Sequence, residues 1–523
     1  MATDRTSDRP GSPLTRRGLL RRAGAGAAAA SALGLAQDAV PAAAAVVRPS
    51  TRRFDRIFHA LPPFQQPSAR LTGALIELGR PGGVLDAKDP LERGAKDLIV
   101  DLSLSAGNPN NELHTAGTTF LGQFIDHDMT FDTTSQLGVA TRPETTPNAR
   151  TPALDLDTVY GAGPVASQAF YDPADRSKLA IESNGVFEDL PRSSTGRAII
   201  PEPRNDENLI IAGLHAAFIR AHNAAVDLVR TRGASDPFGD ARRLVTWHYQ
   251  WIIVHEFLPQ IVGHRLVRET LRHGTRIYRP ARGAGAMPVE FQGAAFRFGH
   301  SMVRPSYRAN LGGDSGQPFF ALVFDPTQDG VADPADMRGG SRSPRRFIDW
   351  QTFFDFGDGQ VKPNKRIDAK ISTPLMNLPL GAIASHQGPT SLPQRNLLRQ
   401  LTWRLPSGQA IAKQLQLDRL SAGDLPELRA LGSGLERSTP LWYYVLKEAE
   451  VMADGLRLGP VGGRIVVDVL VGLLRADPTS YLVLAPDWRP TLPVRGGDSF
   501  RMVDLLTFAG VDPQSRAAAL RPA

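Results

Sequence analysis

Thr118-Thr-Phe-Leu-Gly-Gln-Phe-Ile-Asp-His-Asp-Met-Thr-Phe131 decides how the rest of the chain is read. It has the pattern of a short apolar helix carrying one histidine between two carboxylates. Gln123 and His127 are four residues apart and share a face. Asp126 and Asp128 sit roughly 100° to either side of His127, so one helix end presents three chemistries in three directions. Alone, such a tripeptide is most simply the solvated end of a charged helix. The remaining stretches change that weighting.

The 523 residues suffice for a large core, and the charged and apolar fractions are those of a globular protein. The 49 Gly and 42 Pro imply many loops and helix breaks. Of the formal net charge of +7, six Arg and three Asp in residues 1–45 account for +3. The remaining +4 is modest and unclustered, which argues against nucleic acid as a partner. No cysteine is present. Disulfides, zinc–thiolate sites, iron–sulfur clusters and thiolate-held porphyrins are therefore excluded, and metal chemistry must rest on the 11 His and the carboxylates.

Residues 1–45 read as an export leader: Thr15-Arg-Arg-Gly-Leu-Leu20, a weakly apolar Ala/Gly stretch to Leu35, then small residues Ala42 to Ala45 suited to peptidase cleavage. This resembles a twin-arginine signal, which exports cargo already folded; the plain alternative is a basic tail. No other segment is expected to span a membrane, and Ile465–Leu474 reads as a core helix. Residues 46–112 are Pro- and Gly-punctuated and expected to wrap the core, and 113–523 form one catalytic domain. His114 lies in a loop and has no partner that the sequence identifies.

Thr151-Pro-Ala-Leu-Asp-Leu-Asp-Thr-Val-Tyr-Gly161 places Asp155 and Asp157 on one side of an extended loop. With the Thr151 hydroxyl and the Ala153 carbonyl they offer hard oxygen ligands of the kind Ca²⁺ takes, although a polar turn would look similar. Pro201-Glu-Pro-Arg-Asn-Asp-Glu207 enters a clear helix striped by Leu209, Ile210, Leu214, Ala217, Phe218, Ala221 and Leu228. His215 and His222 on it read as packing or surface residues. A second helix, Asp240–Leu258, is expected to end at Pro259, with His248 and His255 in the core or at an interface. Phe291–Val303 has a helical apolar stripe, Phe291, Ala295, Phe298 and Met302, with His300 beside Phe296 and Arg297. A lone His on such a helix is usually a satisfied core residue. Further helices are expected at Arg395–Arg404, Leu441–Gly455, Gly459–Leu474 and Phe500–Ala509, and strand-like alternation is scarce. The fold class is therefore mainly α, a single large helical domain with long loops and little β structure.

Together these stretches resemble the animal-type haem peroxidases of the peroxidase–cyclooxygenase superfamily, in a bacterial secreted form, over roughly Leu113 to Leu474. The motifs are Gly122-Gln123 with Asp126-His127-Asp128, Thr151 to Gly161, Arg204 with Glu207, Phe296-Arg297-Phe298-Gly299-His300, and Asn396 with Arg399. Each is weak alone; five in family order are specific. The resemblance implies haem b held by His300 as proximal iron ligand, with Asn396 on the other nitrogen of that ring. It implies His127 as distal catalytic histidine, with Arg204 and Gln123 beside it. Asp126 and Glu207 match carboxylates that form ester bonds to haem, and Arg297 and Arg399 fall among the cofactor-binding positions. Asp128, Thr151, Ala153, Asp155 and Asp157 match a Ca²⁺ site. Two departures stand out. Asp157 replaces a residue that is often Ser and should tighten cation binding. Asn208 stands where a chloride-oxidising relative has a haem-bonded methionine, which puts chloride oxidation in doubt.

The implied activity is reduction of hydrogen peroxide through a ferryl intermediate, with oxidation of small donors such as phenols, iodide, bromide or thiocyanate. The expected protein is monomeric and lacks a stable membrane anchor. Physical chemistry fits the roles. A neutral imidazole can take a proton from peroxide and return it. A fixed guanidinium near the departing oxygen is worth about 3 kcal/mol. A hydrogen bond from the His300 ring to Asn396 would make the iron ligand electron-rich. Two rival readings are a fatty-acid dioxygenase of the same superfamily and a non-catalytic haem-binding or adhesion protein. The dioxygenase needs a tyrosine three residues before the proximal histidine, where Arg297 stands. Joint retention of His127, Arg204 and His300 speaks against the other.

Overall fold

A computed structural model describes residues 52–183, 187–312, 316–343, 345–383 and 385–519. The leader expected at 1–45 lies outside the described residues. Three helices hold the centre: α1 (Gly117–Met129), α2 (Leu209–Thr231) and α3 (Pro237–Ile252). Phe124 of α1 stacks flat on Phe218 of α2, 4.6 Å between ring centres, and Tyr249 of α3 meets both edge-on. Asn208 starts α2: its Oδ1 accepts from the backbone N–H of Ile210 and Ile211 at 3.1 and 2.9 Å. By length and hydropathy α2 could cross a membrane, against expectation, but 83 % of its most apolar 18-residue window is buried inside the protein. Every residue from Leu209 to Ile219 is buried because protein surrounds that part of the helix, whereas Asp227 and Arg230 near its end are exposed.

Behind this layer lie α4 (Leu392–Thr402), α5 (Leu441–Ala453) and α6 (Pro460–Ala476), which pack in turn on one another. Ile465 to Leu474 of α6 is wholly buried, as a core helix should be. Helix Ala69–Leu78 seats Leu71, Leu75 and Leu78 in the core against α4, and the Ser391 hydroxyl donates to the Gly79 carbonyl at 2.6 Å. Every sheet among the described residues is two-stranded. One antiparallel pair joins β1 (Asn110–Thr115) to β2 (Pro363–Lys365) just ahead of α1. His114 in β1 is buried between the amides of Asn111 and Asn364, at 3.0 and 3.1 Å, and so gains the partners its sequence context did not name.

Four local expectations are corrected. Pro259 does not stop the helix after α3. The chain passes through a π turn at Ile253–Phe257 and resumes as Leu258–Val262, with Pro259 in the first turn of that segment. There its missing N–H is not needed. The stripe from Phe291 to Val303 is not one helix but three short turns, Val289–Gln292, Ala295–Phe298 and Gly299–Met302. They break at Gly293, where a Cβ would lie 2.7 Å from the Trp403 indole. Asp155 and Asp157 are not alternating strand residues: Leu156 between them is left-handed, with φ 59°. Finally α4 starts earlier than expected, capped by Ser391 with Pro393 in its first turn, so Asn396 sits inside the helix rather than at its start.

Candidate active site

The distal side is built from the end of α1 and the 3₁₀ turn Pro203–Asp206. His127 is buried, with its Nδ1 2.8 Å from Oδ1 of Asn205. Asn205 is wholly buried, and its Nδ2 donates to Thr158 Oγ1 and lies on Nδ1 of His215, both at 2.9 Å. Burial, assisted by the Arg204 charge, pushes the His127 imidazole down to about 3, so it is neutral at ordinary pH.

Arg204 is held by a fork from Glu202, with Nε to Oε1 at 2.9 Å and Nη2 to Oε2 at 3.0 Å. It also donates to the Thr130 carbonyl at 2.6 Å and lies over the Phe131 ring at 4.3 Å. Burial alone would raise the Glu202 carboxyl; Arg204, His127 and Arg150 overcome this and hold it at about 2. The pairing continues outward, because Arg150 meets Glu202 at 3.1 Å and Asp157 at 3.4 Å. Alternating charges thus run from the acidic loop to Arg204 and on to Asp126, 3.7 Å from it. Asp126 is half-buried, and burial raises its carboxyl; burial likewise pushes Glu207 up to about 8. Gln123 meets the Asn208 amide only at 3.5 Å, the outer limit of a hydrogen bond.

This turn is clamped from behind. Gly339 N–H donates to the Glu207 carbonyl at 2.9 Å, Leu209 N–H to Met337 O at 2.8 Å, and Arg192 Nη1 to Asp206 at 2.7 Å. A Cβ on Gly339 would fall 1.5 Å from the Asp206 carbonyl, so only glycine fits there.

The proximal side comes from Gly299–Met302, which packs against α1, and from α4. His300 Nδ1 lies 2.8 Å from Asn396, but from its Nδ2, while Asn396 Oδ1 accepts from Arg297 Nη1 at 3.2 Å. The amide therefore donates to the ring, reversing the expected direction, because Arg297 holds the oxygen. Arg297 feels Asp126 as well as Arg399 and is pushed down to about 10, chiefly by burial. Asp126 lies 3.7 Å from Arg204 and also feels the Arg297 charge, so the two sets of side chains interact electrostatically. Arg399 is turned to Asp132 and Ser135, at 2.9 and 2.5 Å.

Beyond His127, carboxylate oxygens of Asp128, Asp155 and Asp157 lie within 4.8 Å of one another. Burial and mutual repulsion raise Asp128 well above the carboxylate range, burial raises Asp155, and burial and the Asp155 charge raise Asp157 to about 6. Backbone N–H groups of Leu156 and Thr158 reach Asp128 at 3.1 and 3.3 Å. Thr151 places its hydroxyl on Arg52 at 2.8 Å, and its carbonyl accepts from Ala153 N–H at 2.8 Å.

The sequence did not point to Asn205, Glu202, Arg150, Thr158 or the role of His215. Only Glu202, two residues before Arg204 and fixed between prolines, carried a usable hint. His222 bonds Tyr160 and the Ser177 carbonyl, and His248 bridges Leu244 to the backbone of Thr491 and Leu492; both are packing residues, as expected.

The animal haem peroxidase family model matches residues 132–322, a stretch that holds Arg204, Glu207 and His300 but neither His127 nor Asn396. Among curated relatives, heme peroxidase 2 of Caenorhabditis elegans is 25 % identical over 234 residues, 39 % of this chain and 32 % of that protein. The chorion peroxidase of Aedes aegypti is 30 % identical over 173 residues, 30 % of this chain and 22 % of that one. Rat thyroid peroxidase is 27 % identical over 195 residues, covering 32 % and 21 %. The chain thus spans less than a third of the length of these relatives. Among solved structures, peroxidase A from Dictyostelium discoideum superposes with a TM-score of 0.53 at 15 % identity, over 82 % of this chain and 88 % of that one. The fold, mainly helical with little strand, is shared with that structure. Over residues 132–322 the chain is thus similar to the animal haem peroxidase family.

Proposed function

We propose that this protein is a haem peroxidase that reduces hydrogen peroxide to water and oxidises small donors, such as phenols, iodide, bromide or thiocyanate. The single observation that carries the proposal is the grouping around Asp126, which pairs with Arg204 and feels Arg297. It has a neutral imidazole and a forked guanidinium on one side, and a second imidazole with its amide partner on the other. The residues fit a haem. His300 would ligate iron through Nε2, Arg297 would supply a cation for an acidic side group while Arg399 is spent on Asp132, and Asp126 and Glu207 are carboxyls whose raised proton affinity suits ester formation. When bound, haem supplies the redox centre that accepts electrons from the donor.

The chain's own residues handle protons and charge. His127 Nε2 takes a proton from the incoming peroxide and gives it to the departing oxygen. Arg204, fixed by Glu202, meets the negative charge that grows on that oxygen and contributes about 3 kcal/mol. Two electrons and two protons in all convert peroxide to two waters, and the donor supplies the electrons. Asn208 offers no sulfur and is engaged as the cap of α2, which weighs against chloride as donor.

Asp128, Asp155 and Asp157, with oxygen atoms of Thr151 and Ala153, would hold Ca²⁺. Three carboxylates, two of them buried, with oxygens within 4.8 Å of one another, call for a cation, and bound Ca²⁺ would steady α1 next to His127. The twin-arginine stretch would export the protein folded and loaded. The decisive experiment is guaiacol and iodide oxidation by hydrogen peroxide with purified holoprotein, followed with its absorption spectrum. Absence of turnover with a normal haem spectrum would refute the activity. Chelation should lower the melting temperature and CaCl₂ restore it; an unchanged melt refutes the cation site.

A further inference from the structure

We propose that Asn205 is the positioning residue that fixes His127 as the Nδ1–H tautomer and so leaves the lone pair on Nε2, where a base for peroxide must have it. The inference deepens the peroxidase reading and rests on it for its functional consequence. An amide has one accepting end and one donating end. The accepting end, Oδ1, lies 2.8 Å from His127 Nδ1, so the hydrogen of that contact belongs to the imidazole. The donating end, Nδ2, carries two hydrogens and meets two acceptors at 2.9 Å, Thr158 Oγ1 and His215 Nδ1. Every hydrogen of the amide is thereby used.

Turned over, the amide would present Nδ2 to His127, move the imidazole hydrogen to Nε2 and remove the base. Asn205 is wholly buried, so water does not stand in for either end. Thr158 is itself anchored, its backbone N–H donating to Asp128 at 3.3 Å, so the acidic loop that faces α1 also braces the amide. His215 accepts at Nδ1, and its hydrogen therefore sits on Nε2, a buried nitrogen without a hydrogen-bond partner. The 3₁₀ turn that places Arg204 thus also places the residue that orients the base, one position later.

The test uses full-length holoprotein in the diamagnetic ferrous–CO form, labelled with ¹⁵N-histidine. Two-bond ¹H–¹⁵N correlations report which ring nitrogen carries the hydrogen, and the His127 signal is the one lost in His127→Gln. The expected result is a protonated Nδ1 on His127 and a protonated Nε2 on His215. Asn205→Ala should shift His127 toward the Nε2–H form and slow peroxide consumption by roughly 10²-fold. Asn205→Asp, which still accepts, should keep the Nδ1–H form and recover most of the rate. A wild-type His127 protonated on Nε2, or a tautomer unmoved in Asn205→Ala, overturns the proposal, and the wild-type spectrum decides even if the alanine variant does not fold. The expected tautomers without peroxide consumption would instead overturn the peroxidase reading and leave the assignment of Asn205 standing.

Discussion

The molecule holds two histidine–asparagine pairs at the same separation, 2.8 Å, and they are wired in opposite directions. On the distal side Asn205 turns its oxygen to His127 and its nitrogen to Thr158 and His215. On the proximal side Asn396 turns its nitrogen to His300, because Arg297 claims its oxygen at 3.2 Å. The identity of the pair does not decide the tautomer; the third partner does. The proposed base, His127, is therefore preset. His300, in contrast, meets the donating end of its amide at Nδ1; a ring that ligated iron through Nε2 would carry its hydrogen on Nδ1 and need the amide oxygen that Arg297 now holds.

The largest effect should come from removing the preset side. His127→Ala is expected to lower the rate of peroxide consumption by roughly 10³-fold while haem stays bound. Stopped-flow kinetics together with the Soret absorbance check both halves. An unchanged rate would make the distal pair structural and end the contrast.

Glu202 comes next, since it fixes Arg204 as Asn205 fixes His127. Glu202→Gln leaves two buried guanidinium groups facing a neutral amide and should cost about 3 kcal/mol in urea unfolding at pH 7. The carboxyl sits at about 2 against an ordinary 4.5. Its stabilisation is therefore fully present above pH 4.5 and is lost as pH falls from 4.5 toward 2. The wild-type protein should lose stability across that window more steeply than the Gln variant. Parallel slopes would show that the fork contributes nothing.

The proximal pair is sharpened by Arg297→Leu, which frees the Asn396 oxygen. The amide can then accept from His300 Nδ1, so resonance Raman of the ferrous protein should report a stronger iron–histidine bond than in wild type. Loss of the cation should weaken haem retention by about fivefold, the worth of about 1 kcal/mol for one charge contact with a carboxylate. An iron–histidine frequency unchanged by the substitution would mean that Arg297 does not govern the amide once haem is in place.

The contrast also marks what a sequence can and cannot reveal. The helix around His127, the Arg204 and Glu207 spacing and the largely apolar α6 follow from periodicity and caps, which are local. The polarity of each histidine is set by residues from elsewhere: 78 positions separate Asn205 from His127, and 96 separate Asn396 from His300. No spacing rule carries that information. The same holds for the break at Gly293, imposed by Trp403, and for the π turn that lets Pro259 stay inside helical structure. Asp155 and Asp157 converge through the left-handed Leu156, a conformation that a leucine does not announce.

The smallest effect separates holding the turn from orienting the base. Asn208 caps α2 with two backbone contacts, at 3.1 and 2.9 Å, whereas its reach to Gln123, 3.5 Å, is too long to matter. Asn208→Ala should therefore cost about 1 kcal/mol of stability, and Asn208→Asp or Asn208→Ser should keep most of it. Peroxide consumption should stay within about twofold of wild type in all three, because Arg204 and Asn205 are held by Glu202, Thr158 and the Gly339 clamp rather than by the cap. A large rate loss in Asn208→Ala with little change in melting would show instead that the helix start sets the distal geometry, and the preset would then belong to α2 rather than to the buried amide.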